Sequence, residues 1–135
     1  MDAREFYKEV VFKNYEESKA DPASFRKLWN AVVSMNTVAE YVALDRSYGS
    51  LARNEIDTKS REVRQQHAEL QSLKDRAETL KHVRRHVDGR LIESSTGILP
   101  TDPTTWELSD GSTLYSLREA IDRAFAVLPA IPELK

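Results

Sequence analysis

Apolar and polar positions divide the chain into helical stretches, one short extended region and a last helix. The clearest stretch is "ADPASFRKLWNAVVSMNTVAEYVAL". On a helical wheel Phe25, Trp29, Val32, Ala39 and Ala43 share one stripe. Leu28, Met35 and Val42 widen it on one side, Val33 and Leu44 on the other. A helix apolar over so much of its girth is expected to be central, or shared between a core and a subunit interface. Asp21 reads as its N-cap and Pro22 as its first residue, where a missing N–H costs nothing, so the helix is expected over about 22–45. "DRSYGS" follows, with Gly49 available for a positive φ at the helix end.

An earlier helix is expected over about 3–18, capped by Asp2. Its apolar positions Phe6, Val10, Val11, Phe12 and Tyr15 follow helical spacing loosely, and the β-branched pair Val10-Val11 weakens it. Downstream, Ile56, Val63, Leu70 and Ala77 recur every seven residues, with Leu73, Leu80 and Val87 offset by three. This narrow seam predicts two antiparallel bundle helices, about 51–66 and 69–87, broken near Gln66–Glu69. Unbroken, the stretch would be a rod of roughly 50 Å at about 1.5 Å per residue, too long for so small a domain unless it protrudes.

From about residue 90 to 115 the character changes to glycine, proline and β-formers. Asp110-Gly111, flanked by Trp106, Leu108 and Tyr115, predicts a small β-hairpin or three-stranded ribbon. Ser116 with Glu119 reads as a capping box for a last helix over about 116–128, stopped by Pro129 and Pro132. The fold class expected is therefore mainly α: a single domain, 1–135, of four or five bundled helices with a small β-hairpin before the last helix.

Composition narrows the function classes. A formal net charge of −2 and a pI near 5.9 argue against a dedicated nucleic-acid coat protein. Cysteine is absent, which removes disulfides, thiolate zinc sites and thiol catalysis and fits a reducing compartment. The first residues, "MDAREFYKEV", are charged from the second position and do not read as a signal peptide. No apolar run approaches the ~20 residues a membrane span needs, so a cytoplasmic protein without membrane contact is expected.

Chemistry concentrates in "RAETLKHVRRHVDG". On one continuous helix, Leu73, Ala77, Leu80, Val83 and Val87 would form the apolar side. His82 would point away from it, flanked by Glu78 and His86, with Arg76 at the edge of the apolar stripe. Glu78, His82 and His86 at i, i+4 and i+8 form an alternative metal set. Arg76, Lys81, Arg84, Arg85 and Arg90 form a local cationic excess suited to phosphate groups, without the interleaved aromatics that base stacking needs. Asn36 interrupts the apolar stripe of the central helix and Glu40 lies one turn on. A buried amide requires hydrogen-bond partners. Either Asn36 fixes helix register, or Asn36 and Glu40 face His82, Lys81 or Arg76 of a neighbouring helix or subunit. Neither a nucleophile elbow nor a Walker loop nor a dinucleotide glycine fingerprint is present.

The succession "WNAVVSMNTVAEYV", "LKDRAETLKHVRR", a β segment and a capped last helix resembles bacterial helical-bundle proteins of the HEPN type. Ribonucleases of that type carry an arginine, four to six residues, then a histidine, and here five residues separate Arg76 from His82. Ala77 stands where those ribonucleases tend to have a polar residue. The resemblance implies RNA cleavage without a metal or other cofactor at a homodimer interface, in a toxin–antitoxin or defence setting, or a degenerate relative of such an enzyme. It also implies roles. His82 would move the proton of the attacking 2′-hydroxyl, and Arg76 would stabilise the charged phosphate; the phosphate-binding reading of Arg84 and Arg85 comes from the cationic excess itself. From residue chemistry alone, Asn36, Glu40 and Lys81 are the candidate supporting polar groups. Residue chemistry leaves a second class open: a non-catalytic homodimeric interaction module whose broad apolar helix binds itself or a protein partner.

Overall fold

A computed structural model describes residues 1–48, 51–79, 83–87, 90–94, 106–108 and 114–135, and the chain is mainly helical. The first rod joins α1 (Ala3–Phe6), a π-helical turn (Tyr7–Val11) and α2 (Phe12–Ala20). Helices α3 (Phe25–Arg46), α4 (Arg53–Gln65), α5 (Ala68–Thr79) and α6 (Leu114–Val127) follow, so the described residues form a bundle of five rods. Strands β1 (Val83–Val87), β2 (Arg90–Ser94) and β3 (Trp106–Leu108) lie between α5 and α6 and pair antiparallel in the order β2-β1-β3. Two 3₁₀ turns, Leu128–Ala130 and Pro132–Leu134, complete the chain.

Asp2 opens the first rod with a capping box. Its carboxylate accepts from the Glu5 N–H at 2.8 Å, and the Glu5 carboxylate accepts from the Asp2 N–H at 3.1 Å. The β-branched pair Val10-Val11 lies in the π turn, where the Phe12 N–H donates to the Tyr7 carbonyl five residues back. Residues five apart on an ordinary helix diverge by about 140°. The wider π turn brings Tyr7 and Phe12 round to the same neighbour, Phe125 of α6, with ring centroids 6.1 and 5.8 Å away. Tyr15 stacks on Phe125 at 3.8 Å. The irregularity therefore serves the contact between the first rod and α6.

Helix α3 begins three residues later than the Asp21–Pro22 reading expects. Ser24 is its N-cap, and its hydroxyl accepts from the Lys27 N–H at 3.3 Å. Asp21 instead ends α2, and its carbonyl accepts from the Ser24 N–H at 3.1 Å. Pro22 thereby occupies the second position of a turn, which its fixed φ suits as well as it suits a first helical turn. At the far end Tyr48 takes the left-handed conformation at φ 54°, with its N–H on the Asp45 carbonyl; Gly49 lies outside the described residues.

The core surrounds α3. Leu28, Ala31, Val32, Met35, Val38, Ala39, Val42 and Ala43 are buried there. Each fully buried aliphatic of valine or leucine size contributes about 1.5–3 kcal/mol. They meet Val11 and Tyr15 from the first rod, Val63 from α4, Leu70 and Leu73 from α5, and Leu117, Ile121, Ala124 and Leu128 from the last segment. The apolar girth of α3 is not consumed evenly: the Leu28–Met35–Val42 flank is inside, whereas Val33 on the other flank is 44% exposed. The end of α3 anchors both chain termini. Asp45 accepts from the Ala3 N–H at 3.0 Å, and the Arg46 Nε donates to Glu133 at 2.6 Å, beside the buried Ile131 and Leu134.

Three expectations are corrected. The helix expected over 69–87 stops at Thr79, and Val83–Val87 is a strand. Both ends of β1 are β-branched valines, which suit a pleated surface. Its register pairs Val87 with Arg90; Asp88 and Gly89 lie outside the described residues. The β-hairpin expected to turn at Asp110-Gly111 is not seen. Residues 109–113 lie outside the described residues, and Tyr115, expected on the returning strand, lies within α6. Ser116 accordingly sits inside α6 and is not its N-cap.

Candidate functional site

The ending of α5 at Thr79 separates residues that the helical reading stacked together. Arg76 and Glu78 belong to α5; Arg84, Arg85 and His86 belong to β1; Lys81 and His82 lie outside the described residues. Glu78, His82 and His86 are therefore not successive turns of one helix, and the i, i+4, i+8 argument for a metal no longer applies. Among the described residues no cluster of three or more metal-ligating side chains occurs. In β1 the backbone of Arg84 pairs with that of Glu93 on one side and Glu107 on the other, and Arg85 pairs with Ile92 and Trp106.

Arg76 opens onto a groove between α5 and α6 with a volume of about 300 Å³. Glu69, Ser72 and Arg76 form its α5 wall; Ser116, Glu119 and Arg123 form its α6 wall. The spacing on both walls is helical, so each set lies along one stripe. One Arg76 Nη donates to the Ser116 hydroxyl at 3.4 Å, bridging the two helices across the groove. Arg123 and Glu119 approach to 4.0 Å on the exposed rim. Two guanidiniums, two carboxylates and two hydroxyls thus line one open cleft. It can donate charge-assisted hydrogen bonds to an anion from Arg76 and Arg123, and the carboxylates moderate its positive potential.

Asn36 and Glu40 meet a different cation. Arg64 of α4 is only 5% exposed; one Nη donates to the Asn36 backbone carbonyl at 3.1 Å and the other to the Ser60 hydroxyl at 3.3 Å. Burial pulls the Arg64 guanidinium below its usual range, and the nearby Glu40 and Asp57 carboxylates act against that shift. The Arg64 Nε and the Asn36 Oδ1 are both buried without a hydrogen-bond partner. The Asn36 carbonyl is thus held by α4, and Glu40 attracts Arg64 without pairing with it; this arrangement matches a polar contact setting the register of α3 against α4. Sequence reasoning missed Arg64. Its only local signal is its place beside Val63, on the seam.

A third feature lies between the first rod and α3, a groove of about 330 Å³. Phe6, Val10, Trp29 and Val33 wall it, with Asn14, Asn30, Ser34 and Thr37 around them. The hydroxyls of Ser34 and Thr37 are turned to their own helix, donating to the Asn30 and Val33 carbonyls at 2.7 and 2.8 Å. The Asn14 amide donates to the Asn30 carbonyl at 3.5 Å, so the lining offers an apolar wall with two amide side chains beside it. Compared with known proteins, the chain matches no family model, no curated protein and no solved structure. No helix among the described residues is long and apolar enough to cross a membrane.

Proposed function

We propose that the chain is a HEPN-type helical-bundle protein that cleaves RNA without a metal. Arg76 holds the scissile phosphate and His82 serves as the base. The 2′-hydroxyl oxygen attacks the adjacent phosphorus while His82 accepts its proton. The bond from phosphorus to the 5′-oxygen breaks, its electron pair leaving with that oxygen, which takes a proton from water; a cyclic phosphate and a 5′-hydroxyl result, and His82 returns its proton to the solvent. Histidine titrates near neutrality and can take that proton; a positioned guanidinium stabilises the charge gathering on phosphate oxygens.

The observation that carries this reading is Arg76 on the wall of an open groove, beside the Ser116 hydroxyl. His82 follows Thr79, the last residue of the helix that carries Arg76, by three residues in the sequence. The test is cleavage of single-stranded RNA in the presence of a chelator by wild type, Arg76→Ala and His82→Ala. Each substitution is expected to lower the rate by about 10²–10⁴-fold. No cleavage by the wild type, or equal rates in all three proteins, would remove the reading.

The apolar groove favours a second reading, a module that pairs with a second copy of itself. A hollow between Val10 and Trp29 with the exposed Val33 on its rim puts knob and hole in one patch, as two-fold pairing requires. Sedimentation over a hundredfold concentration range tests it. Concentration-dependent dimers that Val33→Asp abolishes are expected; a wild type that stays monomeric throughout refutes it.

A further inference from the structure

Helix α4 differs from every other rod in how it is held. Val63 is its one buried apolar side chain; the other two buried residues, Ser60 and Arg64, are polar. Ile56, the remaining seam residue, is half-buried and does not join the core cluster. The first two turns, residues 53–59, are otherwise exposed. Ala52 at the N-cap supplies no side-chain hydrogen bond. By contrast α3 buries nine residues, and α6 buries Leu117, Ala120, Ile121 and Ala124.

Docking α4 also desolvates a charge. Arg64 loses nearly all its water and recovers one carbonyl and one hydroxyl from its own helix, while its Nε and the facing Asn36 Oδ1 gain nothing. Removing an ion from water is costly unless its hydrogen bonds are fully replaced. Glu40 and Asp57 attract Arg64, but neither lies within ion-pair distance of it among the described contacts.

We propose that α4 is a strap: it lifts from α3 as a unit while the rest of the bundle stays folded, and in lifting it releases the Asn36 carbonyl from Arg64 and uncovers the buried Asn36 Oδ1. Closed, the strap shuts the Asn36 Oδ1 away from water without a hydrogen bond; open, it lets water reach that oxygen and the Arg64 guanidinium. A helix with little buried apolar surface and an incompletely compensated charge is where local opening of lowest free energy is expected.

Hydrogen exchange followed by mass spectrometry on the full chain tests this, with peptides spanning 53–65 compared with those spanning 28–43. The α4 amides are expected to exchange on the order of tenfold or more faster than the α3 core amides, and to respond little to low denaturant. Arg64→Met fills the same space without a charge and is expected to slow α4 exchange, with α3 unchanged. Glu40→Gln removes the attracting carboxylate and is expected to speed it. Exchange of α4 and α3 at one common rate with one denaturant dependence overturns the proposal. So does faster α4 exchange in Arg64→Met.

Discussion

Tyr15 provides a pH-dependent test of how the first rod is joined to α6. Its hydroxyl donates to the Asp122 carboxylate at 2.8 Å, and its ring lies 3.8 Å from that of Phe125, stacked within 11°. Burial, then the hydrogen bond to Asp122 and the charge of that carboxylate, push the Tyr15 hydroxyl up to about 12 from its ordinary 10. In the unfolded chain the phenol ionises near 10; in the folded one it keeps its proton to higher pH. The folded state therefore binds more protons between these values, and stability falls as pH rises through that window. Below pH 10 the contribution is fully present. The loss is about 1.4 kcal/mol by pH 11 and roughly 2 kcal/mol by pH 12, at about 1.4 kcal/mol per unit.

Tyr15→Phe retains the stack and removes the titration. At pH 7 it is expected to cost about 1 kcal/mol, the net worth of one hydrogen bond to a half-exposed carboxylate. Urea unfolding followed by circular dichroism at pH 7, 9, 10, 11 and 11.5 measures both proteins. Lysine titration and the other tyrosines are common to the two and cancel in the difference. The wild type is expected to lead at pH 7 and to lose that lead by about pH 11. A difference that stays constant across the series would mean that Tyr15 ionises as freely folded as unfolded, and the Asp122 contact would then be no part of the fold in solution.

Two further outcomes follow from packing and capping. Leu73→Ala empties a fully buried position on α5 and is expected to cost about 3–5 kcal/mol in chemical denaturation; a loss under about 1 kcal/mol would show that α5 does not close the core. Ser24→Ala is expected to cost about 1 kcal/mol and Asp21→Ala less, because Ser24 caps α3 while Asp21 offers its side chain to a partly exposed lysine. The reverse order in thermal melts would return the cap to Asp21.

Much of the helical scaffold was legible from apolar spacing. Val32, Ala39 and Ala43 of the α3 stripe and the seam residues Val63, Leu70 and Leu73 are core in the structure, with Phe25 and Trp29 half-buried against it, because apolar periodicity marks the face of a helix that turns inward. What failed was punctuation. Asp21-Pro22 and Ser24 are all acceptable helix openers, and only the three-dimensional turn between α2 and α3 chooses among them. Two Asp-Gly pairs lie in the second half of the chain, each flanked by β-formers, and local spacing does not choose between them; strand pairing, which is non-local, joins Val83–Val87 to Arg90–Ser94, while Tyr115 lies within α6. The π turn at Tyr7–Val11 was invisible for a related reason: it answers to Phe125, more than a hundred residues away.

The candidate site was less legible because it depended on one of those punctuation marks. Reading residues 69–87 as one helix placed Arg76 and His82 on faces about 120° apart, so that they could share a groove only with help from another helix or subunit. With α5 ending at Thr79, the angle loses its meaning. Arg76 is fixed by a helix and by Ser116, whereas His82 belongs to the chain between α5 and β1. The proposed chemistry then depends on the path of that connection, and a substitution confined to it becomes more diagnostic than one on the helix face. His82→Gln keeps a side chain of similar reach and hydrogen-bonding ability but cannot accept and return a proton near neutral pH. Under the proposal it should bind RNA as the wild type does and cleave it at least 10²-fold more slowly. Equal loss of binding and cleavage would make His82 a contact residue, and the case for a base at that position would end.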